Sequence, residues 1–282
     1  MKITLTAPAK INLTLALTGL REDGYHLLES VMQPLSLADT VSVSKIPSGI
    51  TISCSKEGIP LNEKNLCYKA AKAYLDEAKI DGGVKIDLIK CIPDGAGMGG
   101  GSSDAAAVLK AMAALYPAKV DLFPIAAKIG ADVPFFLMGK TCLCRGVGEE
   151  LTPISFPLKK SLFCVVLKPK ESLSTPEVYR RYDLGKPDFS SPLSDKEIEI
   201  LNGSSPQAFF SLMKNDLELP AMTLLPAVLE TKELLLSFGA DAAMMTGSGS
   251  AVFALFLNEE KAKKCNEQLK KENKESYFCT LI

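Results

Sequence analysis

From residue 3 to residue 15 the chain alternates, and its apolar face runs on to residue 17. Ile3, Leu5, Ala7, Ala9, Ile11, Leu13, Leu15 and Leu17 share one face, and Thr4, Thr6, Pro8, Lys10, Asn12 and Thr14 the other. A period of two predicts a strand with one buried face. Shorter strands are predicted at 41–44 and 50–53, joined through Pro47-Ser48-Gly49. Residues 66–78 read as a helix and 84–90 as a half-exposed strand. A helix then runs on from Ser102, and a further one ends at Gly130. Residues 143–153 read as one strand kinked at Gly146-Val147-Gly148, and 162–167 as a buried strand opening a second half. That half carries helices near 175–181, 197–201, 207–215 and 228–238, a strand at 251–257 and a last helix at 259–271. Strands and helices mix without strict βαβ alternation, which predicts an α+β chain of two domains, 1–155 and 156–282.

The segment between the strand at 84–90 and the next helix changes the picture from fold to chemistry. It reads Ile92-Pro93-Asp94-Gly95-Ala96-Gly97-Met98-Gly99-Gly100-Gly101-Ser102-Ser103, with five glycines in seven residues. Glycine is costly to order, and a chain gains from it where the backbone takes positive φ or approaches a ligand closely. Behind the glycines, Ser102 and Ser103 are read as capping residues, and an alanine-rich run of good helix formers follows. The free N–H groups and positive dipole end of that helix make an anion site. A ligand-free strand-to-helix turn is the plain alternative. Gly95-x-Gly97-x-x-Gly100 formally matches the dinucleotide fingerprint, but no strand with an acidic end follows at the right place. Gly95-x-x-x-x-Gly100-Gly101-Ser102 resembles a Walker A loop with glycine in place of lysine. The balancing charge is therefore expected from a metal or from a lysine elsewhere.

Composition narrows the class. The chain has 282 residues, 47% hydrophobic and 23% charged, with a formal net charge of −1. Nothing there points to nucleic acid or to an anionic membrane surface. No signal-peptide core and no spanning segment is read. Eight scattered cysteines without a Cys-x-x-Cys pair, and a single histidine, argue against a zinc cluster and for reduced thiols in a cytoplasm.

A second glycine cluster, Met244-Met245-Thr246-Gly247-Ser248-Gly249-Ser250, precedes the apolar run at 251–256. Alone it is read as a hairpin turn. Taken with the first loop, it is expected to form the opposite wall of a cleft between the two domains. Three segments then resemble the three motifs of the GHMP small-molecule kinases: Pro8-Ala9-Lys10-Ile11-Asn12-Leu13, residues 92–106 and residues 246–255. They stand in family order over nearly the whole chain. Gly24-Tyr25-His26, Asn65-Leu66, Gly130-Ala131-Asp132-Val133-Pro134-Phe135-Phe136 and Thr175-Pro176-Glu177-Val178-Tyr179 narrow the resemblance to the branch that phosphorylates a cytidyl alcohol.

The resemblance implies a two-domain GHMP kinase fold with its active site in the cleft between the domains. It also implies a reaction, transfer of the ATP γ-phosphoryl group to a tertiary 2-hydroxyl with Mg²⁺. It places Pro93, Gly95, Gly97, Gly99, Gly100, Gly101, Ser102 and Ser103 on the ATP phosphates and Asn65 near the adenine. Asp132 matches the base that accepts the hydroxyl proton, and Lys10 the lysine that keeps it ionised and offsets the incipient alkoxide. Substrate contacts fall to Asn12, Tyr25, His26, Thr175, Tyr179, Gly247, Ser248 and Gly249, with His26 reading the cytosine edge and Tyr25 and Tyr179 packing on its faces. No metal ligand is assigned. The implied enzyme is a cytoplasmic monomer or weak dimer without nucleic-acid or membrane partners. Another GHMP kinase, or a nucleotide-binding relative without catalysis, remains open.

The residues keep their plain readings alongside. Asp132 before Pro134 fits a helix N-cap. Lys10 with Asn12 fits a solvated strand face, His26 a surface turn, and Asn65 the N-cap of its helix. Thr246 stands where many relatives carry serine. Leu27 follows Gly-Tyr-His where an acid is expected, with Glu29 two residues on.

Overall fold

In the computed structural model, which describes residues 1–185 and 188–282, the N-terminal alternation forms one long strand, β1 (Lys2–Leu20). Its apolar positions from Ala7 to Leu17 are buried, as expected. Lys10, Asn12 and Thr14 on the opposite face are buried too. The middle of β1 is therefore covered on both sides, which polar side chains tolerate only when hydrogen-bonded.

The remaining elements follow as β2 (His26–Ile46), β3 (Gly49–Cys54), α1 (Leu66–Ala78), β4 (Gly83–Ile89), α2 (Gly100–Leu115), α3 (Leu122–Ile129) and α4 (Val133–Met138). Next come β5 (Cys142–Arg145), β6 (Glu150–Pro153), β7 (Phe163–Lys168), α5 (Thr175–Leu184), α6 (Asp195–Asn202), α7 (Pro206–Phe210), α8 (Glu218–Leu224) and α9 (Ala227–Ser237). The chain closes with β8 (Ala242–Met245), β9 (Val252–Phe256), α10 (Glu259–Lys271) and β10 (Glu275–Thr280).

Several expectations change. The short strand at 41–44 is the end of the 21-residue β2. The kinked strand at 143–153 is a hairpin, β5 with β6, because Gly146 (φ 71°) and Gly148 (φ 116°) turn the chain back instead of bending it. The helix expected at 207–215 stops at Phe210, and β8, β10 and α8 carry no local pattern that announced them.

The chain forms two compact units that interleave in sequence. One comprises Met1–Ala9, Ala38–Ile92 and Gly99–Gly139; the other comprises Lys10–Leu37, Pro93–Met98 and Lys140–Ile282. In the first, β4 pairs in parallel with β3 (Ile52↔Ile86) and antiparallel with the second half of β2 (Val43↔Ile86). Buried Ala70, Ala71 and Tyr74 of α1 and the alanine-rich face of α2 fill its core. In the second, β5 pairs with the first half of β2 (Val31↔Leu143), and β10-β7-β9-β8 form an antiparallel sheet. Val165, Leu167, Val252, Ala254 and Phe256 of that sheet pack with Ala262 and Leu269 of α10 and Val228 and Leu235 of α9. All eight cysteines are free. Among the described residues no helix is long and apolar enough to cross a membrane, and no group of three or more His, Cys, Asp or Glu is placed to hold a metal.

Candidate active site

The glycine loop begins α2 two residues earlier than its serines suggest. Gly99, at φ 70°, is the N-cap and α2 starts at Gly100, so Ser102 and Ser103 lie inside the first turn and cap nothing. The reason is conformational. A left-handed N-cap needs glycine more than it needs a side-chain acceptor. Ser103 N–H already bonds the Gly99 carbonyl (2.9 Å), which leaves the N–H groups of Gly100, Gly101 and Ser102 at the open end of the helix. Gly95 and Gly97 also take positive φ, 59° and 71°.

At Gly97 the requirement is steric as well. A Cβ there would come within 2.3 Å of the Thr246 carbonyl oxygen. Ser250 N–H donates to the Gly95 carbonyl (3.3 Å). The two glycine loops thus touch, and the expectation that they face each other as opposite walls is corrected. The second loop is a hairpin connection, with Met245 opposite Val252, and it is also the backing of the first. Asn215 holds it from behind, its Nδ2 donating to the carbonyls of Met245 and Gly247 (2.9 Å each).

Lys10 joins this assembly from β1. Its backbone N–H donates to the Met98 carbonyl (3.1 Å), and its buried Nζ donates to Asn12 Oδ1 (2.7 Å). Asn12 in turn donates to Ser30 Oγ (2.7 Å), and its Oδ1 accepts from Thr246 Oγ1 (3.3 Å). The i, i+2 spacing placed Lys10 and Asn12 on one strand face; the partners on β2 and in the second loop were beyond local pattern. A solvated strand face is excluded, since Lys10 is 4% exposed and Asn12 1%.

Asp132 stands at the N-cap position of α4 with helical φ and ψ, and its side chain makes no capping hydrogen bond. The plain explanation of an aspartate two residues before proline is therefore not realised. Asn65 does cap its helix: Oδ1 accepts from Cys67 N–H (2.8 Å) and Nδ2 donates to the Pro60 carbonyl (2.7 Å).

The residues expected around a base gather on α5 and the start of β2. The His26 ring stands 5.0 Å from Tyr179 at 44° and 6.0 Å edge-on to Tyr182, and its Nε2 lies 2.7 Å from Asp183 Oδ1. Tyr25 beside it is 65% exposed, with the Arg21 guanidinium over its ring at 5.8 Å. Thr175 and Ser248 share a hydroxyl–hydroxyl bond of 2.7 Å. Glu29 is buried and accepts from Arg145 Nε (2.8 Å) and Leu193 N–H (2.5 Å).

Two features at the glycine loop go beyond what its motif announces. The Ser103 hydroxyl is buried and, among the described residues, without a hydrogen-bond partner. Beneath the loop Lys90, Asp39 and Asp104 form a buried ion cluster, with Lys90 Nζ bonded to both carboxylates.

A glycine loop backed by a second glycine hairpin and a tethered lysine fits a small-molecule kinase, and the comparisons with known proteins put the chain in that class. The chain belongs to the GHMP kinase family: the model for the GHMP kinases N terminal domain matches residues 65–140 and that for the GHMP kinases C terminal matches residues 198–275. It is 42% identical to the 4-diphosphocytidyl-2-C-methyl-D-erythritol kinase of Clostridium kluyveri over 99% of both chains. A crystal structure of 4-(cytidine 5'-diphospho)-2C-methyl-D-erythritol kinase is similar at TM-score 0.84 and 41% identity, covering 99% of both chains. The homoserine kinase of Cytophaga hutchinsonii shares the fold at TM-score 0.72 and 20% identity, over 99% of this chain and 95% of its own.

Proposed function

We propose that this chain transfers the γ-phosphoryl group of ATP to the 2-hydroxyl of 4-diphosphocytidyl-2-C-methyl-D-erythritol, a step of non-mevalonate isoprenoid-precursor synthesis. The observation that carries the reading is 42% identity, spanning 99% of the chain, to a kinase named for that substrate. Phosphoryl transfer depends on alignment and charge neutralisation more than on covalent chemistry.

On this reading the loop 93–99 and the N–H groups of Gly100, Gly101 and Ser102 hold the ATP phosphates. Ser103, in the same first turn, stands just behind those N–H groups. Mg²⁺ supplies the positive charge that the loop lacks in place of a Walker lysine. Asp132 accepts the proton of the attacking hydroxyl. Lys10, aimed by Asn12, offsets the charge that develops on the reacting oxygen. His26 reads the cytosine edge with Tyr25 and Tyr179 against its faces, and Asn12, Thr175 and Gly247-Ser248-Gly249 complete the substrate contacts. Asn65 lies near the adenine while capping α1.

The boundary at 155/156 separates the two matched segments, 65–140 and 198–275, and is kept as the division into N- and C-terminal domains. A cytoplasmic monomer or weak dimer completes the reading.

The test is ADP release with the cytidyl alcohol, mevalonate and homoserine offered separately as acceptors. Turnover with the cytidyl alcohol alone is expected. Turnover confined to another acceptor overturns the substrate, and ATP binding without turnover on any acceptor overturns the kinase activity.

A further inference from the structure

The glycine loop is anchored at both ends by one buried charge cluster. Asp39 of β2 accepts at Oδ1 from the backbone N–H groups of Cys91 (2.5 Å) and Ile92 (2.8 Å), the last residues before Pro93. Its Oδ2 bonds Lys90 Nζ, and the same ammonium reaches Asp104 Oδ2 at 2.5 Å. Asp104 lies one turn into α2, just past the loop's exit. Entry and exit are therefore tied through a single nitrogen. That nitrogen sits directly under the helix start, 3.5 Å from where a Cβ on Gly100 would be.

Stability alone is a poor account of this arrangement. Lys90, Asp39 and Asp104 are each less than 5% exposed in their side chains. Taking three charges out of water costs more than the pairing returns unless the geometry is needed, and apolar replacements of like volume are often no worse. The cluster is also unbalanced. One ammonium faces two carboxylates, and Asp39 accepts from three donors, whereas among the described residues Asp104 accepts from Lys90 alone and its Oδ1 has no hydrogen-bond partner. Nor does Lys90 serve as the missing phosphate cation, because both carboxylates enclose it.

We propose that Asp104, through Lys90 and Asp39, is a positioning residue that sets the span of the glycine loop and so its grip on the nucleotide phosphates. The proposal rests on the reading of that loop as the ATP site. Breaking the tie should loosen the phosphate cradle and leave the acceptor site unchanged. An amide at 104 still offers an oxygen to Lys90, and its nitrogen takes the place of the unpartnered Oδ1, so it should keep the tie.

The experiment compares Asp104→Ala with Asp104→Asn in the full chain, measuring KM for ATP, KM for the cytidyl alcohol, kcat and Tm. For Asp104→Ala we expect KM for ATP to rise about ten- to a hundredfold, the scale on which a misplaced binding group is felt, with KM for the alcohol within about twofold. Asp104→Asn should stay close to wild type in both. Should the alanine variant not fold, Asp104→Ser, too short to reach Lys90, takes its place in the same comparison. A folded variant that lacks the tie and keeps wild-type KM for ATP overturns the proposal. Wild-type protein that fails to bind ATP overturns the reading of the loop itself, a separate result.

Discussion

His26 Nε2 lies 2.7 Å from Oδ1 of Asp183, a residue 157 positions further along the chain. A ring nitrogen that faces a carboxylate carries the proton, so in the neutral imidazole Nδ1 is left as an acceptor. Cytosine presents an amine donor at the position where uracil presents a carbonyl acceptor. If His26 reads that edge, Asp183 fixes which base it prefers. For Asp183→Asn, whose amide can meet either tautomer, the preference for cytidyl over uridyl substrate in kcat/KM is expected to fall about tenfold, the lower end of one base-edge contact. An unchanged preference with lower activity on both substrates removes Asp183 from recognition.

The same site predicts a split between substrates. His26→Ala and Tyr179→Ala each delete one half of a ring pair 5.0 Å apart. KM for the cytidyl alcohol should rise by the equivalent of roughly 1–3 kcal/mol per lost stacking partner, with KM for ATP near wild type. Equal weakening of both substrates would place these rings outside the base pocket.

Two glycines of the loop should behave differently although they are three residues apart. Gly97 takes φ 71° and its missing Cβ would lie 2.3 Å from a backbone oxygen, so Gly97→Ala forces the two loops apart. A lower Tm and lost ATP binding are expected together. At Gly100, which needs no positive φ, a Cβ would meet side chains rather than backbone, Ile92 Cγ2 at 3.3 Å and Lys90 Nζ at 3.5 Å, and alanine favours the helix. Gly100→Ala should keep its Tm within a few degrees and still bind ATP. Calorimetry and ATP titration of both variants check this, and equal losses in the two would contradict the geometry.

What the chain shows locally was legible. The alternation of β1 and the span of α1, with Asn65 as its cap, follow from neighbours in sequence. So does the i, i+2 partnership of Lys10 and Asn12. The long β2 was hidden because Gln33 and Asp39 interrupt its apolar pattern, and both are satisfied by distant groups: Thr141 for one, the Cys91 and Ile92 amides for the other. The strand β8, Ala-Ala-Met-Met, contains no β-branched residue, and β10 follows a charged run, so tertiary pairing decides both. The Asp39–Lys90–Asp104 cluster spans 65 positions, which no periodicity encodes.

That cluster also sets a pH dependence. Burial pushes the Asp104 carboxyl from 3.8 up to about 7 against the pull of Lys90, with Asp39 adding to the rise; burial pulls Lys90 down, and the two carboxylates outweigh it and raise the ammonium to about 12. The Cys67 thiol of α1 also faces Asp104 and is pushed up by burial, so it stays neutral. A carboxyl raised in the folded state binds its proton there more tightly than in the unfolded chain. Its contribution to stability is therefore full below about 4 and is lost as pH rises towards about 7. Asp104→Asn removes that loss. The difference in Tm between variant and wild type should move in favour of the variant as pH rises from about 4 to about 7 and stay level above that. A difference independent of pH would mean that Asp104 does not titrate there.

Asp132 gives the sharpest test of chemistry against structure. An aspartate before a helix that begins Val133-Pro134 is an ordinary cap, and asparagine caps equally well. Asparagine keeps the size and shape of the side chain and removes only the charge, so Asp132→Asn should cost the fold little. If the carboxylate takes the proton of the attacking hydroxyl, kcat should fall by about two to four powers of ten, the usual reach of a positioned general base. KM for both substrates and Tm should stay near wild type. Lys10→Met keeps the length of the stem and removes the ammonium that Asn12 holds, and should lower kcat as well. Groups that act as a unit do not add, so the double variant should be little worse than the poorer single one. The deciding measurement is kcat of Asp132→Asn beside its Tm. Turnover close to wild type at an unchanged Tm would strip Asp132 of the catalytic role, because neither capping nor proton transfer would then depend on its charge.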